Sequence, residues 1–592
     1  INYNKLIKMY EVVVGIDFGS SGTGFAYSFF DKNRIIHGQI PGASVDNKVP
    51  TEIILDDNND VIIFGTNCER FLKDKGLNSG HYFKGIKMEL YENKRYIISK
   101  NSGKELPLKL VIQKVLQAIK EIAIRQISNN RPYLKEQTEK IKWVVTVPAI
   151  WNEHQKSVMM ESCIGAGLVN DKTDKSLFFA LEPEAASLYC SINKEIDRKY
   201  FNKGEYYIVC DLGGGTGDIV AHLVGYNNNL NEINPSSGGN FGSNEIDKYI
   251  FKEIILKLFG CQDFNTFYNK YKKFNVIEEK NEENEKGELF NDWCEFEREI
   301  KDFKEGITLK NIKDKIKYPI NCALFKDIFE NGTGINELVK EYNDTIYNDK
   351  LSLSVKVPRR WIVEFPYEII SEYMKNQADS ICEIINKITL KEKIKTIIFV
   401  GGYCSNEVLV NLIKNNLKQI KSYLQPSNPG LAVMEGAVLF GIEPSIISIR
   451  KSKYTIGKEG AVPWDNKKHS GKGKKIFDES LNKWYCKNCF IKYVEINQDL
   501  KYEEIISHES FLIKGLQKVA LRFYKTTKQN PVFAFEDGVI KIGECHLDVG
   551  AKYDKIEDRK IKIIIKFGGT FIDVTGIHLK SGNTVKTTLT FD

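Results

Sequence analysis

The sequence lacks the long apolar runs, leader pattern and basic blocks that mark several classes of protein. No stretch approaches the ~18 apolar residues that a membrane-spanning helix needs, and the first fourteen residues carry no secretory pattern. The 85 basic and 78 acidic residues are interspersed, so the net charge of +7 predicts no nucleic-acid partner. Twelve scattered cysteines in 592 residues favour reduced thiols and a cytoplasmic location.

Motifs of several enzyme and metal-binding classes are missing as well. The absence of a G-x-x-x-x-G-K-[ST] run gives no support to a P-loop enzyme, and the serine and histidine residues show no nucleophile elbow. Cys486-x-x-Cys489 has no second Cys/His pair at zinc spacing, because Cys545 and His546 lie far along the chain. The sequence therefore predicts ordinary thiols there rather than a metal site.

The chain does contain two glycine-rich loops, each headed by an aspartate. Val12–Tyr27 reads VVVGIDFGSSGTGFAY, and Tyr206–Val220 reads YYIVCDLGGGTGDIV. In both, an apolar strand ends at an aspartate (Asp17 or Asp211), and a Gly/Ser/Thr turn leads to a second apolar stretch, as in a β-hairpin. Because glycine lets backbone N–H groups approach an anion closely, the pair predicts a duplicated fold that holds a nucleotide from both sides.

The loop residues themselves are candidates for phosphate binding. Asp17 and Asp211 would face one cleft, and two such carboxylates require a cation between them; Mg²⁺ held largely through water suits them. The candidate phosphate-binding residues are Gly19, Ser20, Ser21 and Gly22 in the first loop, and Gly213, Gly214, Gly215 and Thr216 in the second.

Two further segments add candidates for the same cleft. In Phe178–Tyr189, FFALEPEAASLY, Glu182 precedes a proline at the start of a helix and could supply a third carboxylate, although such a residue also stabilises a helix dipole. In Thr396–Glu407, TIIFVGGYCSNE, an apolar strand ends at Gly401 and Gly402, where the flat ring of an adenosine could lie against the backbone. An ordinary strand-to-helix turn is the alternative interpretation.

The chain divides into a long α/β part and a shorter β part. We predict an extension at residues 1–9, a nucleotide-binding domain at 10–449 and a partner-binding domain at 450–592, with a charged surface segment at Asn275–Glu288. The second domain should be an antiparallel β-sandwich, because Leu521–Phe535 and Lys560–Phe591 alternate apolar and polar residues. Predicted strands of the first domain are Val61–Phe64, Trp143–Val147, Ile208–Cys210 and Lys395–Val400; predicted helices are Leu108–Gln126, Glu153–Gly165 and Asn244–Leu258.

These motifs resemble the phosphate-1, connect, phosphate-2 and adenosine motifs of the actin, sugar kinase and heat-shock-protein-70 superfamily. Trp143–Gln155, WVVTVPAIWNEHQ, is similar to the heat-shock-protein-70 branch, and Leu431–Glu443 followed by Ser448–Gly457 resembles its divergent member-12 branch. The resemblance covers about residues 12–460 and, more weakly, the rest. It implies a duplicated actin-like (ribonuclease H-like) ATPase domain, with lobes at about 10–205 and 206–425 and a return helix to 449. A lidless antiparallel β-sandwich domain would follow.

The resemblance also implies roles for individual residues in an ATPase that uses ATP/ADP and Mg²⁺. Asp17 and Asp211 resemble the two metal-water aspartates, Asp211 or Glu182 would orient the attacking water, and Thr216 would lie near the γ-phosphate. The catalytic lysine is matched by Lys87, with Lys84 as the alternative. The nucleoside side would be formed by Gly239, Gly242, Glu297, Lys301, Gly401, Gly402 and Tyr403.

The chain departs from the family pattern in its linker, Glu443–Thr455, EPSIISIRKSKYT, which is basic where family members are apolar with acidic flanks. We predict a slow ATP-hydrolysing chaperone whose cleft closure controls the C-terminal domain. Its expected partners are nucleotide, unfolded polypeptide or client proteins and a nucleotide-exchange factor, whereas the basic linker argues against a J-domain partner. The alternatives are a nucleotide-switched interaction module with negligible turnover and, less favoured, a sugar or metabolite kinase.

Overall fold

The computed structural model describes most of the chain between residues 9 and 589. The residues within that range that it does not describe are 33, 45–46, 173, 259, 263–265, 267–281, 310–315, 321–339, 341–343, 345–351, 356–360, 366, 391–392, 480, 513 and 568–571. Nearly all of the predicted extension and the first half of the charged segment Asn275–Glu288 therefore lie outside the described residues. Where the structure is described, none of the helices is both long enough and apolar enough to cross a bilayer.

Two mixed sheets repeat one strand order. In each, three parallel strands are followed by two antiparallel ones, so the duplication predicted from the two loops is present in the topology. The first sheet runs in the order Leu177–Leu181, Ile141–Val147, Val12–Phe18, Gly22–Phe29 and Ile36–His37, with Val49–Pro50 also paired to Gly22–Phe29. The second runs in the order Ser422–Leu424, Thr396–Val400, Tyr206–Leu212, Gly217–Val224, Leu230–Gly239, Ile447–Lys451 and Asp499–Lys501.

Two helices lie between these sheets and share one core with both. Glu182–Ile192 and Ala432–Ile442 pack against one face of each sheet, where buried apolar strand residues such as Val144 and Val209 meet them. The helices approach most closely at Gly436, since a Cβ there would collide with the backbone of Ala185. The close approach explains why glycine stands in the middle of a helix despite its cost of about 1 kcal/mol relative to alanine.

The remaining helices cover the outer faces of the sheets, and the predicted helices are confirmed in position. Glu153–Gly165 begins with a capping box, in which Asn152 accepts from the Gln155 amide and the Gln155 side chain accepts from the Asn152 amide. The predicted helix at Asn244–Leu258 contains a π-helical stretch, Ile250–Ile255, between Asn244–Tyr249 and Leu256–Leu258. The other helices are Cys68–Lys75, Ile86–Tyr91, Leu108–Asn130, Glu282–Glu305, Tyr367–Thr389 and Glu407–Asn416.

The molecule also contains small sheets, and one of them shows that the predicted burial of a strand was wrong. Val61–Phe64 forms a strand as predicted, but it is only partly buried because it lies at the edge of a sheet with Glu52–Leu55 and His81–Lys84. The apolar residues of this strand are therefore divided between a side that faces the core and a side that faces solvent. The other small sheets are Tyr96–Ile98 with Glu105–Pro107, and Ile316–Ile320, Trp361–Phe365 and Ser352–Val355.

The C-terminal part forms two antiparallel sheets around a common core. Alternate residues of both sheets, such as Phe523 and Ile563, meet in that core. The predicted strand segment Leu521–Phe535 was wrong in its second half: the strand ends at Thr526, and the chain then leaves the sheet as a loop that contains Pro531. The five-stranded sheet has the order Lys474–Asp478, Lys483–Val494, Thr455–Pro463, Lys518–Thr526 and Ile540–Asp548; the four-stranded sheet has Ile505–Phe511, Lys560–Lys566, Ile572–His578 and Thr584–Leu589.

One strand joins the two parts of the molecule. Ile447–Lys451 lies parallel to Leu230–Gly239 in the second sheet, and Asp499–Lys501 from the C-terminal part pairs with its other edge. The domain boundary predicted after residue 449 falls inside this strand. The linker is therefore a paired element of the nucleotide-domain sheet.

Candidate nucleotide site and its link to the C-terminal domain

The two glycine-rich loops face one another across the gap between the two sheets. Gly214 lies against the Ser21 side chain and Gly215 against that of Ser20, so closely that a Cβ on either glycine would collide with the serine hydroxyl. The serine Ser21 Oγ also donates to Asn244 Oδ1 at 3.3 Å. Glycine is thus required in the second loop because the first loop leaves no room for a side chain.

The second loop rests on the segment that follows the strand Leu230–Gly239. The backbone amides of Ser243 and Asn244 donate to the carbonyl oxygens of Gly213 and Gly214 at 3.1 and 2.8 Å. Gly242 lies beneath the loop, where a Cβ would collide with the Gly214 backbone. Gly239, at the end of the strand, packs against the Phe241 ring. Both predicted glycines therefore support the loop.

Four carboxylates converge behind these loops. Asp17 and Asp211 end equivalent strands of the two sheets, Glu182 begins a helix directly after the strand Leu177–Leu181, and Asp218 pairs with Asp211 across its hairpin. They are only 4%, 6%, 8% and 1% exposed respectively. The sequence interpretation did not single out Asp218, although its place in the run GGGTGD was a usable signal.

Fewer cations than carboxylates lie in direct contact with this group. Lys48 Nζ lies 2.6 Å from Asp17 Oδ2, and Lys87 makes a short ion pair with Glu182. Asp211 and Asp218 have no lysine or arginine within ion-pair distance among the described residues. Four carboxylates against two ammonium groups would leave two negative charges in excess if all were ionised.

The pKa values of the carboxylates reflect this imbalance. Burial raises the pKa of Asp211 well above its usual value, and the neighbouring carboxylates of Glu182, Asp218 and Asp17 raise it further. Burial likewise raises the pKa of Glu182 to about 7, although Lys87 opposes the shift. The cluster therefore retains protons near neutral pH and would release them when a cation binds.

Hydrogen bonds from two threonine hydroxyls and one backbone amide hold the cluster in place. Thr146 Oγ1 donates to Asp17 Oδ1 at 3.3 Å, and Thr216 Oγ1 donates to Asp218 Oδ2 at 3.3 Å. The other Asp218 oxygen accepts from the Ile150 amide at 3.1 Å. The Thr216 hydroxyl thus lies within the carboxylate cluster, directly after the second glycine-rich loop.

The two candidate lysines occupy different places. Lys87, on the helix Ile86–Tyr91, is buried beside Glu182, and its Nζ is 5.9 Å from the centroid of the Trp151 ring. Lys84 ends the strand His81–Lys84 and makes an ion pair with Glu297 on the helix Glu282–Glu305. Burial alone would lower the pKa of Lys84, but Glu297 outweighs it and the pKa is raised. Of the two candidates, Lys87 is therefore the one that lies within the carboxylate cluster.

The predicted nucleoside residues are arranged around the end of the strand Thr396–Val400. Gly401 has a φ of +86° and lies against the Asp211 carboxylate, whereas a Cβ on Gly402 would meet nothing within 4 Å. The Tyr403 ring is buried, and its hydroxyl donates to Gln377 Oε1 at 2.9 Å. Gly402 thus offers an open surface beside the cluster, while Tyr403 anchors the turn beneath it. The structure holds Glu297 in its pair with Lys84 and leaves Lys301 exposed.

The basic linker is matched by acceptors on the nucleotide-binding side. Arg450 makes two hydrogen bonds with Glu184, at 2.7 and 2.6 Å, and both side chains are buried. Lys453 Nζ donates to the Ala149 carbonyl oxygen at 2.6 Å, one residue before the amide that binds Asp218. The linker thus contacts two segments that also carry the carboxylate cluster.

Comparison with known proteins identifies the relatives of this arrangement. The chain is 25% identical to Heat shock 70 kDa protein 12A of Homo sapiens and 23% identical to Heat shock 70 kDa protein 12B of Homo sapiens, over 98% of this chain and 91% of each relative. It is 27% identical to Chaperone protein DnaK of Thermosipho africanus over 40% of this chain and 35% of that protein. The chain is thus similar over almost its whole length to proteins of the heat-shock-70 family.

Within that family the similarity extends through both parts of this molecule. The two member-12 relatives align with the C-terminal sheets as well as with the nucleotide cleft, whereas the DnaK similarity covers less than half of the chain. No family model matches the chain. The similarity is thus to the member-12 branch of the family, as the sequence motifs predict.

Proposed function

We propose that this chain is an ATP-binding, Mg²⁺-dependent ATPase of the heat-shock-70 type, in which closure of a two-lobed cleft controls a C-terminal β-sandwich. Unfolded polypeptide is its proposed ligand at that domain, a nucleotide-exchange factor its proposed partner, and the cytoplasm its proposed location. Similarity to heat-shock-70 proteins over 98% of the chain supports the nucleotide chemistry. The arrangement of buried charges supports the placement of the site.

One observation carries the proposal: among the described residues, four buried carboxylates have two lysines in ion-pair contact, directly behind two glycine-rich loops. Buried charge without a partner is costly, so such a cluster is maintained where a cationic ligand completes it. Oxygen donors are the ligands that Mg²⁺ prefers. The residues present therefore fit a magnesium–nucleotide complex.

Individual side chains of the cluster and loops have distinct proposed roles. Asp17 and Asp211 would hold the water shell of the ion, and Mg²⁺ would neutralise charge on the phosphates when it binds. Lys87 would give up its pair with Glu182 to contact the terminal phosphate, leaving that carboxylate to orient water together with Asp211. The loop amides and the hydroxyls of Ser20 and Thr216 would donate to phosphate oxygens.

The linker contacts supply a route from the cleft to the C-terminal domain. Glu184 and Glu182 lie on one helix, and Arg450 binds the first while the nucleotide site uses the second. Lys453 contacts the Ala149 carbonyl beside the Asp218-binding amide. A rearrangement of either carboxylate on nucleotide binding would therefore be transmitted to the linker strand.

The proposal is tested by titrating the full chain with Mg²⁺–ATP while following ATP hydrolysis and the affinity for a fluorescent unfolded reporter peptide. We expect slow hydrolysis that requires Mg²⁺ and a peptide affinity that differs between ATP and ADP. Chelation of Mg²⁺ with EDTA is the matched control and should abolish the hydrolysis. Hydrolysis without any nucleotide effect on peptide binding would remove the chaperone part of the proposal.

A second candidate, a nucleotide-switched module with negligible turnover, is favoured by the Lys48–Asp17 ion pair. A lysine against one of the two aspartates supplies charge that the metal would otherwise provide. A single-turnover measurement separates the candidates, because a hydrolysis rate equal to that in buffer supports the second. Transfer of the γ-phosphate to a small molecule would instead support the kinase alternative.

A further inference from the structure

One end of the C-terminal domain contains a buried group of three metal-binding side chains that the nucleotide site does not use. His469, Cys486 and Cys489 are 3%, 0% and 2% exposed, and their ligand atoms all lie within 4.8 Å of one another. The Cys489 sulfur is 4.0 Å from His469 Nε2. The histidine comes from a segment outside the Cys-x-x-Cys motif, so spacing along the chain did not reveal it.

The surrounding backbone is shaped for this close approach. Cys486 and Cys489 flank an irregular position of the strand Lys483–Val494, where Asn488 has a φ of +58°, and His469 ends the short helix Asn466–His469. The following loop returns over the group at Gly473, where a Cβ would lie only 2.5 Å from the Cys486 sulfur. The Gly473 amide donates to the His469 carbonyl oxygen at 2.8 Å. The end of the short helix and the loop after it thus both approach the two sulfurs.

The apolar packing around the group is small and separate from the main core of the domain. The buried members are Cys486, Cys489 and Phe533, with Val462, Trp464 and Val532 packed around them. The rings of Trp464 and Phe533 lie 5.5 and 6.0 Å from the imidazole. So small a core contributes little hydrophobic stabilisation. A bound ion would therefore add substantially to the stability of the segments around it.

We propose that His469, Cys486 and Cys489 bind a Zn²⁺ ion through the imidazole Nε2 and two thiolates, with water in the fourth position. Two thiolates and a neutral imidazole are common zinc ligands, and they balance the charge of the ion within an apolar surrounding. Binding releases the two thiol protons to solvent, and no electron is transferred. The ion would connect the 464–473 segment, which carries His469, to the strand Lys483–Val494, which carries both cysteines.

One hydrogen bond of His469 has to break when the ion binds, and this opposes binding. The Asp465 amide donates to His469 Nδ1 at 2.9 Å, which leaves the ring proton on Nε2, facing Cys489. Coordination through Nε2 moves this proton to Nδ1, so the Asp465 amide must turn away. The short helix that carries His469 has to shift slightly when the ion binds.

Metal content of the purified full chain tests the proposal directly. We expect about one zinc per chain by mass spectrometry of the metal, and a loss of more than tenfold in Cys489→Ser and in His469→Ala. The matched control is Cys545→Ser, which removes a buried cysteine of the main core in the same domain. Zinc retained in Cys489→Ser, or copper in place of zinc, would overturn the assignment.

Reconstitution keeps the test independent of metal lost in purification and of variants that fail to fold. The reduced wild-type chain is stripped with a chelator and titrated with Co²⁺ and then with Zn²⁺. We expect a thiolate-to-cobalt charge-transfer band with the d–d absorption of a tetrahedral site, which stoichiometric Zn²⁺ removes. A stripped chain that takes up neither ion, while circular dichroism shows it folded, would refute the site. Neither readout depends on nucleotide binding.

Discussion

Two buried glutamates on the same helix have opposite electrostatic situations. Glu184 is matched by a single arginine, Arg450, which meets both of its oxygens. Glu182, two residues earlier, forms an ion pair with a lysine and lies close to three other carboxylates. Residues two apart on a helix point to different sides, so one side chain faces the linker and the other faces the cleft.

The difference separates a structural charge from a ligand-binding charge. A complete buried pair contributes to the fold only while both partners remain, because either one alone is an uncompensated charge. An incomplete cluster is relieved by neutralising one of its members or by binding a cation. The following substitutions test this contrast.

The largest effect should come from breaking the complete pair. Arg450→Met leaves Glu184 buried without its cation, and we expect the free energy of unfolding to fall by about 3–5 kcal/mol. Denaturant unfolding measures the change. Adding Glu184→Gln to this variant should recover part of the loss. The control Arg70→Met removes an exposed arginine and should change stability by less than about 0.5 kcal/mol; a similarly small effect at Arg450 would contradict the contrast.

Neutralising a member of the incomplete cluster should act on activity instead. In Asp211→Asn we expect ATP hydrolysis to fall by about 100-fold or more, because the group proposed to hold the metal's water and to orient the attacking water loses its charge. Thermal unfolding without nucleotide should be unchanged or occur at higher temperature, since repulsion among carboxylates is removed. Asp74→Asn, at an exposed aspartate, is the control. Unchanged hydrolysis in Asp211→Asn would refute the assigned role.

The pH dependence of stability should show the same repulsion as a smaller effect. The pKa of Glu182 is raised to about 7 in the folded chain from 4.5, so its contribution is present below about pH 4.5 and is lost as the pH rises through 7. We expect the nucleotide-free chain to lose about 1–3 kcal/mol across that interval from this group. Urea unfolding at a series of pH values measures it. Saturating Mg²⁺–ATP should flatten the slope, and an equal slope with and without nucleotide would count against a cation site.

The smallest effect should come from the second linker contact. Lys453→Met removes the donor to Ala149, and we expect the change in reporter-peptide affinity between ATP and ADP to fall about fivefold, a coupling loss near 1 kcal/mol. Fluorescence anisotropy measures both affinities. Lys472→Met, at an exposed lysine of the C-terminal domain, is the control and should leave the ratio unchanged. A full nucleotide effect in Lys453→Met would show that this contact does not carry the coupling.

Much of the fold could be predicted from the sequence because its signals are local. Apolar β-branched strands ending at Asp17 and Asp211, and the glycines after them, identify two equivalent hairpins. The helix Glu153–Gly165 was predicted with its observed bounds from apolar residues at helical spacing, and the structure shows a capping box at its start. Val61–Phe64 and the end of Leu521–Phe535 were misjudged because burial and pairing at a sheet edge depend on neighbours distant in the chain.

The candidate site was predicted in part for the same reason. Motif positions placed Glu182 and Thr216 in the cleft, but Asp218 joins them only through its ladder pairing with Asp211. Spacing could not choose between Lys84 and Lys87, which lie three residues apart; the helix that begins at Ile86 takes Lys87 to Glu182.

The sequence by itself determined the resemblance to the heat-shock-70 family, the duplicated α/β pattern and the two glycine-rich loops, because these depend on residue order within short segments. Only the tertiary structure decided how charges are matched. It paired Glu184 with an arginine of the linker, 266 residues away. Behind the loops it placed more carboxylates than contacting lysines. It also brought His469 to two cysteines. Compensation of charge and assembly of ligands are properties of distance in space, which the order of residues does not contain.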